Sequence, residues 1–258
     1  MGLQTVIGKQ RLSFWFGLVV GTVVAIALSL VNSPAASVTP AEKELPTLQV
    51  HALPPTLAKW QDPAASGDYF EQIKPPEFGH LIWSQFPIKV YVEPPSNHSQ
   101  EWVQAVVGVV QEWGAYLPLQ VVSEAAIADI KILHQAPPLV PGKMQARSGE
   151  THYELWVRQE GNEAILSHRC TIWLNPSQAG KYRSAVARHE LGHALGIWGH
   201  SPLETDVMYF SQVRNPPAIS ARDVNTLKRV YEQPTRLGWR VIRSETRSEG
   251  AIVSPPRS

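Results

Sequence analysis

The stretch HELGHALGIWGH, residues 189–200, gathers three of the chain's nine histidines beside a glutamate. Residues four apart on a helix share a face, so His189 and His193 can direct both imidazoles at one metal ion. Two ligands do not complete a site. A tetrahedral catalytic zinc takes three protein ligands and keeps one position open for water, and Gly196 lets the helix break so that His200 returns as the third. The spacing HExxHxxGxxH is met at every defined position. Glu190 cannot share the histidine face as a close ligand. It can lean toward the open position, where a carboxylate takes a proton from a metal-activated water, and its presence separates a hydrolytic site from a structural one. An all-imidazole tetrahedral set favours Zn2+.

These residues need a scaffold. PIKVYVEPP alternates, with Ile88, Val90 and Val92 on one face, which is the period of a strand that Pro94 and Pro95 end. SQEWVQAVVGVVQEWGAYL puts Trp102, Val106, Val109, Val110 and Trp113 at helical spacing, with Ser99 as N-cap and Gly114 near the end. LQVVS and ADIKILHQ follow as strands, and a helix lying between strands in this way marks an α/β crossover unit. After an irregular loop, THYELWVRQ and CTIWLNPS give two more strands, and AGKYRSAVARHELGHALG gives the helix that carries the motif. A third helix starts at Ser220, where Asp223 forms a near capping box, and Pro234 stops it. There is no internal repeat.

At 258 residues, 43% of them hydrophobic, the chain holds one sizeable domain plus tails. Lys plus Arg (23) and Asp plus Glu (22) nearly cancel and no long basic stripe occurs, so nucleic acid is not an expected partner. The single cysteine, Cys170, excludes an internal disulfide and reads as a small buried hydrophobe. Residues 12–31 carry no charge and follow Lys9 and Arg11, and an apolar helix needs about 20 residues to cross a bilayer. Residues 1–35 are therefore a signal anchor or a cleaved signal peptide, and either puts the rest outside the cytoplasm, in the cell envelope or secreted. Residues 36–79, rich in Pro, Ala and Glu, read as an extended linker or a pro-segment. The zinc-site domain is expected over 80–233, with a disordered tail over 234–258 onto which Trp239 could dock.

With that motif the chain resembles the metzincin zinc endopeptidases and, within them, the matrixins (matrix metalloproteinase-like). TDVMY places Met208 eight residues past His200, where that clan has its Met-turn beneath the metal. Ser201 directly after the third histidine, ADIKI before the loop and ISARDVNTLKRVY near the end add to the resemblance, which covers roughly residues 81–231. It implies an α/β (α+β) metzincin-like domain with a twisted, mostly parallel five-stranded sheet and three helices. It implies zinc on His189, His193 and His200, with Glu190 as general base. Tyr209, Phe210 and Pro216 would wall the pocket beside the scissile bond of a peptide or protein substrate, and a monomer is expected. The chain departs from the animal matrixins in two ways. No Asp occurs from Lys131 to Thr205, although His134, His152 and His168 do, so a second, structural zinc and calcium sites are not expected; and no cysteine lies upstream of Cys170 to block the metal. The other reading is a non-catalytic zinc-binding module tethered to the membrane.

Overall fold

The computed structural model describes residues 43–95, 100–139 and 147–243. In chain order the elements are β1 (Lys43–Glu44), α1 (Pro55–Lys59), β2 (Ile88–Val92), α2 (Gln100–Gly114), β3 (Leu119–Val122), β4 (Ile130–Leu133), β5 (Gly149–Glu160), β6 (Glu163–Leu174), α3 (Lys181–Leu195), α4 (Ala221–Tyr231) and β7 (Ile242–Arg243). Five strands form one sheet in the order β3-β2-β4-β6-β5, and β1 pairs with β7. Neighbours are parallel except β5, which runs antiparallel to β6. Mixed α/β architecture follows, with β5 and β3 at the edges.

One face of the sheet makes the core. Ile88, Val90, Ile130, Ile132, Cys170 and Ile172 project from it into a cluster with Trp102, Val106 and Trp113 of α2 and Ala187, Leu191 and Leu195 of α3. In a strand alternate side chains point to one face, so β2, β4 and the second half of β6 suffice to floor this layer. The buried residues of α2 are the five at the expected helical spacing. At α4 the capping box closes on both sides: Ser220 accepts from the Asp223 backbone N–H at 3.1 Å, and Asp223 accepts from that of Ser220 at 2.8 Å.

Three expectations need correction. The region expected as an extended linker or a pro-segment is, from residue 43 to 79, not an extended linker but a strap packed on the domain: Leu57, Tyr69 and Ile73 lie in the main core. Leu45, Leu48 and Val50, nearer its start, stay exposed. Residues 234–243, expected as the start of a disordered tail, are structured on the domain. β6 is 12 residues long and β4 only 4, so the start of β6 has a free edge. Residues 238–241 fill it, with Gly238 and Val241 N–H donating to the Leu166 and Ala164 carbonyls at 2.7 Å. Trp239 docks by stacking on His51 at 4.2 Å. Finally, β6 begins seven residues before CTIWLNPS, because His168 occupies a buried position that a polar side chain does not announce.

The apolar segment 12–31, Ser99 and residues 244–258 lie outside the described residues. Among the described residues no helix is long and apolar enough to cross a membrane.

Candidate metal centre

α3 carries His189 and His193 one turn apart, and its end is set by Gly196. That residue has φ +132°, and a β-carbon on it would come within 2.8 Å of the Leu81 carbonyl oxygen, so only glycine turns the chain here. The turn brings His200 back: the ligand atoms of His189, His193 and His200 lie within 4.8 Å of one another. It also presents the Ile197 carbonyl to His193 Nδ1 at 2.7 Å, while the Val207 carbonyl meets His189 Nδ1 at 2.9 Å. A carbonyl only accepts, so both Nδ1 atoms carry the proton and both Nε2 atoms present lone pairs. Those two Nε2 atoms face each other at 3.1 Å. Two acceptors cannot bond to each other, whereas a cation between them satisfies both, and a metal-ligating histidine donates its other N–H in this way. The donor set fits zinc.

Burial keeps these rings neutral, as metal binding requires. It lowers His189 to about 4 against the opposing bond from the Val207 carbonyl, lowers His193 well below the usual histidine range, and lowers His200 as well.

Glu190, next to His189, faces β5 and is 7% exposed. Its Oε2 lies 2.7 Å from the Thr151 hydroxyl, which also lies 2.8 Å from the Glu190 carbonyl oxygen. Burial pushes the carboxyl up to about 7, and the Thr151 bond pulls the other way. β5 comes this close because Gly149 has no side chain: a β-carbon there would sit 2.7 Å from Val186 Cγ1 and 2.8 Å from Glu190 Cγ. Sequence reasoning missed both Gly149 and Thr151. Neither has a signal in the sequence, since the contact depends on how β5 crosses α3.

Met208 is fully buried beneath the site, against Gly192, where a β-carbon would collide with its sulfur. The segment around it is fixed from behind. Val207 and Met208 N–H donate to the Asp223 carboxylate at 3.0 and 3.4 Å, and Ser201 N–H donates to the Met208 carbonyl at 2.8 Å. Ser201 is not a nucleophile in this arrangement. Its hydroxyl donates to Asp206, which also takes Ser220 Oγ at 2.8 Å and Arg222 Nε at 3.0 Å.

The three histidines and Glu190 open onto a cleft of about 830 Å³. One wall is Gly149, Glu150 and Thr151, and the other includes Tyr209, Phe210 and Pro216. His134, His152 and His168 take no part in the cluster. In the β5–β6 register His152 pairs with Thr171 and His168 with Leu155, which puts His152 and His168 on opposite faces of the sheet.

No protein-family model matches the chain, and no curated protein matches it. Among solved structures it is similar to high choriolytic enzyme 1, a hatching enzyme zinc-protease from Oryzias latipes (medaka fish). The two are 12% identical, the match covers 60% of this chain and 94% of that chain, and the TM-score is 0.33. The chemistry of this site is therefore read from its own residues.

Proposed function

We propose that the chain is a zinc-dependent endopeptidase of the metzincin type, matrixin-like, with Glu190 as general base. One observation carries this reading: two neutral imidazoles with facing lone pairs, joined by His200, beside a buried carboxyl at the mouth of a cleft. Zinc held by His189, His193 and His200 would supply Lewis acidity toward a carbonyl and lower the pKa of a water toward about 7.

The chain's own residues do the rest. β5 is an edge strand, so its first residues offer backbone groups to an extended peptide, which can add to the sheet as one more strand. Glu190 in its ionised form takes the proton of the attacking water and later delivers it to the leaving amine. Its low exposure and single hydroxyl partner suit both halves of that task, because a carboxyl near neutrality gives and takes a proton at little cost. The aromatic and proline residues opposite β5 favour an apolar substrate side chain beside the scissile bond. The proposed setting is outside the cytoplasm, with residues 1–35 as anchor or signal and the enzyme acting as a monomer on proteins of that compartment.

The test is cleavage of a quenched peptide library by the full chain beside Glu190→Gln, with zinc content measured in both. The parent should cut and stop on chelation, while the variant holds zinc and loses about 10²–10⁴-fold in kcat. Zinc in both proteins and cleavage in neither would leave a zinc-binding module and overturn the enzyme.

A further inference from the structure

We infer that residues 69–74 of the strap are a positioning element of the metal centre, with Tyr69 acting on His189 through Asp223. The inference rests on the metal-peptidase reading above and gives the strap a role opposite to that of an inhibitory segment.

Two contacts reach the ligands. Tyr69 is 4% exposed, and its hydroxyl donates to Asp223 Oδ1 at 2.6 Å. The same carboxylate, fully buried, receives the N–H groups of Val207 and Met208, and the Val207 carbonyl fixes the His189 ring. A phenylalanine would fill the same space, so the hydroxyl is there for Asp223. Tyr69 N–H donates to Thr226 Oγ1 at 3.0 Å, which sets the ring in place. The second contact falls on the other arm of the site. The Gln72 carbonyl lies against Gly199, where any β-carbon would strike it, and Lys74 N–H meets the Trp198 carbonyl at 3.5 Å. Gly199 is the residue before His200. The strap therefore touches the backbone behind one ligand and beside another.

A masking segment would put side chains into the cleft. Among the described residues none from 43 to 79 lines it. The strap runs instead along α4, with Arg222 donating to the Ser66 and Asp68 carbonyls at 3.2 and 3.1 Å and Trp60 Nε1 donating to Asn225 Oδ1 at 2.8 Å. Any processing cut compatible with a working site then falls before residue 69.

The experiment compares Tyr69→Phe with Trp60→Phe in the full chain. Trp60→Phe removes a strap bond of similar kind that leads to α4 and not to the ligands. Zinc affinity by chelator competition, kcat and KM separately, Tm, and the solvent exchange of the His189 Nδ1 proton by NMR are read for each. A group hydrogen-bonded to a ligand typically changes metal affinity about 10–100-fold, and Tyr69 acts one bond further out. Tyr69→Phe should weaken zinc roughly 3- to 10-fold, lower kcat with KM held, and speed exchange of the His189 proton. Trp60→Phe should lower Tm and leave those three as in the parent. Equal loss of Tm in both variants, with zinc affinity and the His189 proton unchanged, overturns the inference. Should the parent neither bind zinc nor cut, the proposed function fails by itself, and the His189 proton in the metal-free protein still decides the role of Tyr69.

Discussion

The two halves of this domain share one apolar core but differ in the polar groups they bury. The sheet and the helices α2 and α3 enclose an interior of Ile, Val, Leu and Trp, with Glu190 and His168 as its buried polar side chains. The chain from His200 onward buries Ser201, Asp206, Asp223, Thr226 and Thr235, each held by hydrogen bonds. His189 and His193 belong to the first half and His200 to the second. Apolar burial is non-directional and tolerates repacking, whereas a buried carboxylate demands particular donors at particular places. The ligand that regular structure cannot position is positioned by polar bonds.

The strongest way to break this comparison is Asp206→Ala. Removing this buried carboxylate leaves the Ser201 hydroxyl and Arg222 Nε without their acceptor, while Ser220 Oγ keeps Asp223, at a cost of about 3–5 kcal/mol. Zinc affinity should fall with it, since Ser201 adjoins His200. Leu191→Ala, in the apolar half, should cost a similar 2–5 kcal/mol by opening a cavity and leave zinc affinity of the folded protein within about threefold. Chemical denaturation and chelator competition on both variants decide it. Matching losses of zinc affinity would erase the distinction.

His168 tests the apolar half at its exception. It is 2% exposed, its Nε2 has no hydrogen-bond partner, and its ring lies 3.9 Å from that of Trp83. Burial lowers its pKa to about 3. The unfolded chain takes up a proton on this ring below about 6.5 and the folded chain does not, so stability is full above that value and is lost as pH falls toward 3. The loss should be about 2 kcal/mol at pH 5. His168→Leu should make the stability profile shallower between pH 4.5 and 6.5 by about this amount, the other buried histidines keeping their share of the slope. A profile parallel to the parent's would mean that the ring is protonated inside the fold.

The same division explains what could be read from the sequence. α2, β2 and β4 were legible because burial repeats at the helical or strand period, and the HExxHxxGxxH spacing named the three histidines that the fold brings together. The strap was not legible. Leu57, Tyr69 and Ile73 have no common period, and prolines and polar residues between them imitate a linker. Asp206 was equally silent, since an aspartate that closes a tertiary clasp looks the same in sequence as one in water, and Asp223 was legible as a capping residue but not as the acceptor for Val207 and Met208. Glu190 was visible, but Thr151 and Gly149, which set its surroundings, were not.

A milder probe acts at the contact between α3 and β5. Thr151 carries one hydroxyl proton, and the Glu190 carboxylate is a stronger acceptor than the Glu190 carbonyl, both being in reach. Thr151→Val keeps the shape and removes that donor. The carboxylate loses its stabilising bond while burial continues to favour the neutral acid, so the Glu190 pKa rises further above the ordinary glutamate value. Catalysis by the ionised form then requires a higher pH, and the acid limb of the kcat/KM profile should move up by about half a unit to one unit, with zinc affinity unchanged. A shift of the limb to lower pH would mean that Thr151 holds the protonated form of Glu190, and the direction of proton transfer at the start of the reaction would have to be reassigned.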